Sequence, residues 1–109
     1  MTRSVVALAE VTDKIGSGAT PLGGEASYKS AGTALIRSMN VHDGEFIEDG
    51  VVFLDEQQSR ALDNVIVQEG DVLLNITGAS VARVCSVPDR YAGARVNQHV
   101  SIIRQKRIN

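Results

Sequence analysis

Three apolar, β-branched runs crowd the second half of the chain and constrain it most: Asp71 to Ser80, Val81 to Val87, and Ala94 to Ile103. Turn signals at Glu69-Gly70, Pro88-Asp89 and Ala92-Gly93 separate them, so they read as strands of one sheet. Polar residues interrupt the runs. Asn75 and Thr77 stand inside the first, and Asn97-Gln98-His99 divides Val96 from Val100. Amide and hydroxyl groups need partners when buried, which makes them costly in an ordinary core strand. The same groups suit contact with base edges or phosphates.

The remaining chain predicts local connections. Val5 to Val11 reads as a helical turn leading into a strand at Asp13 to Gly16, and residues 16–33 as a glycine-rich loop. Loops that long in a compact domain are functional or disordered. A strand is expected over Ala34 to Met39, then a turn at Asp43-Gly44. Glu45 to Ile47 and Val51 to Leu54 flank Asp49-Gly50 and read as a hairpin. Asp55 is placed to cap a helix over Glu56 to Leu62, and Val65 to Val67 reads as extended. The fold class expected is α+β, mainly β: a twisted antiparallel or mixed sheet with one or two short helices, in a single domain over 1–109.

With 43% hydrophobic residues but only 4% aromatics, the core must be built from Val, Ile, Leu and Ala. The single cysteine, Cys85, cannot form an internal disulfide. It reads as a small buried hydrophobe in a reducing, cytoplasmic setting. No apolar run is long enough to suggest a membrane span. The net charge of −2 argues against a generic DNA coat, yet residues 42–71 sum to −8 and residues 72–109 to +5. One side of such a fold could attract a polyanion, or the arginines could simply cover solvated strand faces.

Four segments, Gly16-Ser17-Gly18-Ala19-Thr20-Pro21, Leu35 to Val41 with Asp43-Gly44, Glu69 to Ala79, and Val96-Asn97-Gln98-His99-Val100, are similar in order and spacing to the target-recognition domain of the specificity subunit of type I restriction-modification systems. The resemblance runs from about Val11 to Arg104. It implies a non-catalytic module that reads double-stranded DNA and directs separate methylation and restriction subunits. It implies no cofactor, and with one cysteine and only His42 and His99 a structural zinc site is not expected.

The DNA-facing residues expected on this basis are Arg37, Asn40, Thr77, Ser80, Asn97 and Gln98. Arginine can fork onto guanine, and Asn or Gln can bond adenine through two atoms. Asn97 and Gln98 fit a structural or phosphate role as readily as base reading. Arg37, Lys14, Arg83 and Arg95 are expected to supply positioning charge, with Lys14 and Lys29 flanking the glycine-rich loop. Ser17, Gly18 and Thr20 belong to a loop whose glycines could bring backbone amides to a phosphate, although a plain surface loop is also compatible. The Gly-Lys-Ser/Thr ending of a nucleotide-binding loop is missing. His99, alone in an apolar strand, reads as a satisfied core residue, and no catalytic or metal-ligand spacing is present. A β-rich interaction or assembly module without nucleic-acid binding is the alternative function.

The family's recognition domain continues past the Asn-Gln-His strand and is accompanied by long paired helices. By that comparison the chain reads as a truncated domain. The Val96 to Arg104 strand is then expected at a sheet edge, where it would invite a homodimer.

Overall fold

The computed structural model describes residues 12–19, 27–77 and 82–105. The expected helical turn at Val5 to Val11 lies outside them. The described chain is mainly β, with one short α-helix and several 3-10 turns. The main sheet is four-stranded and antiparallel, in the order β1 (Thr12–Ser17), β9 (Val100–Gln105), β6 (Val72–Asn75), β7 (Val84–Ser86). A strand turns successive side chains to opposite faces. Leu73 and Asn75 therefore face inward on β6 while Cys85 does so on β7, between exposed Val84 and Ser86. Leu73 pairs with Cys85 on one side and with Ile102 on the other, which makes a continuous apolar stripe.

Strand β9 is therefore interior, flanked by β1 and β6. This corrects the expectation of an edge strand. The amino-terminal segment Thr12–Ser17 supplies its second neighbour.

A second sheet holds β5 (Val52–Leu54), β2 (Thr33–Ile36) and β8 (Arg95–Val96), with β2 antiparallel to β5 and parallel to β8. The long strand expected from Ala94 to Ile103 is thus two strands in two sheets. At Asn97 the chain leaves one sheet for the other. Its side-chain Oδ1 accepts from His99 N at 3.0 Å, and its carbonyl accepts from Val100 N at 3.3 Å. This is the local turn that an Asn side chain can close by imitating backbone.

The tight hairpin is likewise not at Asp49-Gly50. β3 (Val41–His42) and β4 (Glu45–Phe46) pair across Asp43-Gly44, with Gly44 at φ 71. Positive φ is the conformation such two-residue turns demand. Gly50 also has positive φ, but β5 beyond it pairs with β2, an arrangement that places Leu54 fully inside the core. The strand expected over Ala34 to Met39 stops at Ile36 and gives way to the 3-10 turn Ser38–Asn40. Asp55 does cap a helix, α1 (Glu56–Arg60). Gln58 N donates to Asp55 Oδ1 at 2.8 Å while Asp55 N donates to Gln58 Oε1 at 2.9 Å, a reciprocal capping box.

The core is one aliphatic cluster drawn from both larger sheets, including Leu35, Ile36, Leu54, Val65, Leu73, Val96, Val100 and Ile102. Tyr28, Phe46 and Tyr91 only pack against its margin. One ion pair closes the end of the main sheet where β6 begins. Asp71 is fully buried, and Arg104 donates to it from Nε at 2.8 Å and from Nη2 at 2.9 Å; Gln68 N adds a third bond at 2.8 Å. Removing one partner of such a pair strands a buried charge. Arg104→Ala is expected to lower the unfolding free energy by about 3 kcal/mol. Urea titration measures this, and a loss below about 1 kcal/mol would place Asp71 in contact with water.

Burial pushes the Cys85 thiol above its ordinary range, and a backbone hydrogen bond at His42 opposes this more weakly. A raised thiol favours the protonated form in the folded state. Its contribution to stability is thus complete below the unfolded value and fades as pH rises through the folded value. Cys85 should react with a thiol reagent far more slowly in the native protein than in denaturant at the same mildly alkaline pH. Equal rates would mean that the native thiol is open to solvent.

Candidate nucleic-acid interface

Strand directions bring the ends of several elements together. β2 and β8 run parallel, so Arg37 and Asn97 leave the second sheet side by side, with Asn97 N donating to Ile36 O at 3.2 Å. β6 runs against β9, which sets Asn75 beside Val100 and carries Ile76 N to His99 O at 3.0 Å. β1 ends at Ser17 opposite Ser101, and Gly18 N then donates to Asn97 O at 3.1 Å. Ala82 N reaches Asn75 O at 2.8 Å and places Arg83 at the same end. Five segments, from Ser17 to His99 and most of them far apart in sequence, are therefore knit by backbone bonds into one surface.

Buried amides underlie it. Asn75 is almost fully buried, and its Nδ2 donates to Ser38 O and Val41 O, each at 3.0 Å. Asn40, with no exposed surface, donates to Ile47 O at 2.8 Å and Asp49 O at 3.1 Å and accepts from Arg37 N. This corrects the expectation that Asn40 faces DNA, because its amide holds the β2–β3 link to the β4–β5 link. Asn97 is also buried, its Oδ1 turned to its own backbone corner. Of the two readings open for it in the sequence, the structural one describes this oxygen.

Arg95 departs further from its expected role. Its side chain is only 11% exposed, and its nitrogens donate to Ser59 O, Gly93 O and Asp63 Oδ1. Those bonds tie β8 to the α1 region, leaving little of the guanidinium to position a ligand. Lys29 is exposed and bridges Phe53 on β5, next in sequence to the Tyr28 ring that carries Arg37. Lys14 pairs with Arg104 along β1, about 10 Å from Ser17 at the usual strand rise. Thr20 and Ser80 lie outside the described residues.

Arg37, Thr77, Arg83 and Gln98 remain as side chains at the surface. Arg37 stacks its guanidinium over the Tyr28 ring at 5.4 Å while donating from Nη2 to Gly50 O at 2.6 Å. That arrangement fixes its plane. The exposed Arg83 side chain forms no hydrogen bond or ion pair among the described residues, while its backbone carbonyl accepts from Asn75 N at 2.9 Å. Thr77 is exposed, its hydroxyl hydrogen-bonded to Nδ1 of His99. His99, read from sequence as a core residue, is thus half-buried at the rim of this surface. The signal that marked it was the polar Asn-Gln-His break itself, which periodicity assigns to a strand rather than to a corner.

Among the described residues no cluster of His, Cys, Asp or Glu could hold a metal ion, and no helix is long and apolar enough to cross a membrane. No protein-family model matches the chain, and a search of curated proteins found no relative.

Gly18 is needed for its lack of a side chain. A Cβ there would overlap the carbonyl oxygen of Val96, a backbone atom that cannot swing aside. Gly18→Ala is expected to lower stability by about 1–3 kcal/mol through forced displacement of the β1 end. A thermal melt identical to that of the parent would show that β1 does not dock here.

Proposed function

We propose that this chain recognises double-stranded DNA as a non-catalytic specificity module of a type I restriction-modification complex, using the surface that carries Arg37, Thr77, Arg83 and Gln98. The observation that carries this reading is convergence. The segments bearing the family resemblance are scattered from Gly16 to Val100, and parts of all four (Gly18, Arg37 to Val41, Asn75 to Thr77, Asn97 to His99) meet at one end of the fold. A shared structural role for the buried amides and a shared ligand for the exposed polar groups both account for a motif set placed in this way. In this reading the methylation and restriction subunits are the protein partners, the compartment is the cytoplasm, and the chain alone has no catalytic step to perform.

Exposed Met39 and Ile76, 51% and 40% accessible, favour a second reading in which the same surface binds protein. Salt separates the two, because a DNA contact releases counterions and weakens as salt is added. With a duplex probe, the logarithm of affinity should fall with the logarithm of salt concentration, and Arg83→Ala should reduce that slope by about 1. Binding indifferent to salt, or a slope unchanged by Arg83→Ala, would remove Arg83 from the interface. Incubated alone with DNA, a methyl donor and magnesium, the protein is expected to show neither methylation nor cleavage.

A further inference from the structure

His99 is held at three points. Its N–H donates to Asn97 Oδ1, its carbonyl accepts from Ile76 N, and its ring Nδ1 is hydrogen-bonded to the Thr77 hydroxyl. The other ring nitrogen, Nε2, forms no hydrogen bond among the described residues, and the residue itself is half-buried. Half-buried Gln98 stands beside it, and the Gly18 and Arg83 segments flank the corner. With the Thr77 hydroxyl donating to Nδ1, the neutral ring carries its proton on Nε2. If the ring is protonated, the hydroxyl accepts and Nε2 still donates.

We infer that His99 is a DNA-contacting residue whose Nε2–H donates to an acceptor on the duplex, a phosphate oxygen or a purine N7, and that Thr77 is the residue that positions it. The inference rests on the DNA-recognition reading and deepens it. A free imidazole rotor would lose conformational freedom on binding; this one is already fixed by its neighbours, so a directed hydrogen bond forms at little entropic cost. With Nδ1 engaged by Thr77, the Nε2–H is the donor this ring has left to offer.

The test uses the full chain and a pool of randomised-sequence duplexes, with the parent, His99→Ala, Thr77→Val and Thr77→Ser compared at one salt concentration. Melting curves verify that each variant is folded. His99→Ala should weaken binding about tenfold, Thr77→Val by a smaller factor, and Thr77→Ser should restore parental affinity. Nitrogen-15 spectra of the imidazole should show the proton on Nε2 in the parent and a redistributed tautomer in Thr77→Val. A loss uniform across sequences identifies a phosphate as the acceptor, and loss of preference at one base pair identifies a purine. If the parent binds and His99→Ala binds equally well, the inference falls while the DNA reading stands. An unaltered tautomer in Thr77→Val removes Thr77 from its role. A parent that binds no duplex overturns the DNA reading and this inference together.

Discussion

The side-chain amide of Asn75 holds the main sheet to the rest of the molecule. Its Nδ2 supplies both Ser38 O and Val41 O, carbonyls more than thirty residues earlier in the chain. Ser38 O also accepts the Val41 N–H that closes the 3-10 turn, so the Asn75 amide adds a second bond there. A buried carbonyl left without a partner costs about 1–3 kcal/mol. A short amide is well fitted to the task, since one nitrogen offers two donors from a single rigid plane. Asn40 repeats the device between the β2–β3 and β4–β5 links, and Asn97 uses its oxygen to turn the chain between sheets. Short strands of two to four residues cannot form a stable fold by pairing alone. These seams make small sheets behave as one body around a shared aliphatic core.

The same economy explains what was legible in the sequence. Alternation in Val72 to Asn75 and Val84 to Ser86, the turn glycines, and the Asp55-x-x-Gln58 cap act locally, so the residues themselves reveal them. Pairing partners do not act locally. Nothing near Asp49-Gly50 indicates that β5 will choose β2, or that Thr12–Ser17 will cover β9. Both choices depend on which surfaces remain apolar after the whole chain has collapsed. Amides in apolar runs stood out as an anomaly, but whether such a group serves the fold or a ligand depends on burial. Burial assigned Asn40 to the fold, and exposure left Thr77 and Arg83 at the surface.

Charge illustrates the gap between chain order and space. The acidic middle and the basic carboxy-terminal part look like opposed patches in sequence. Folding instead pairs them: Arg90 meets Glu48, Arg95 meets Asp63, and Arg104 meets Asp71. The exposed Arg90–Glu48 pair adds little stability in water, while the buried Arg104–Asp71 pair is costly to break. All three pairs neutralise arginines that would otherwise contribute to a positive field. Among the described residues of the candidate surface, this leaves Arg37, stacked on Tyr28, and Arg83 as arginine charges.

If this surface binds DNA as proposed, its few cations cannot supply a broad electrostatic attraction, which grows with the number of phosphates neutralised. Under the DNA reading, its discrimination must therefore come from hydrogen bonds of fixed direction. That requirement agrees with how the surface is built. Arg37 is oriented by an aromatic face and a carbonyl, and the His99 ring is oriented by Thr77. Both stand on backbone that the buried amides hold in place. With short strands, the fixed geometry at this end of the fold comes from polar seams. Asn40, whose amide is spent on Ile47 O and Asp49 O, belongs to these seams, and under the DNA reading such seams hold Arg37 and His99 in place.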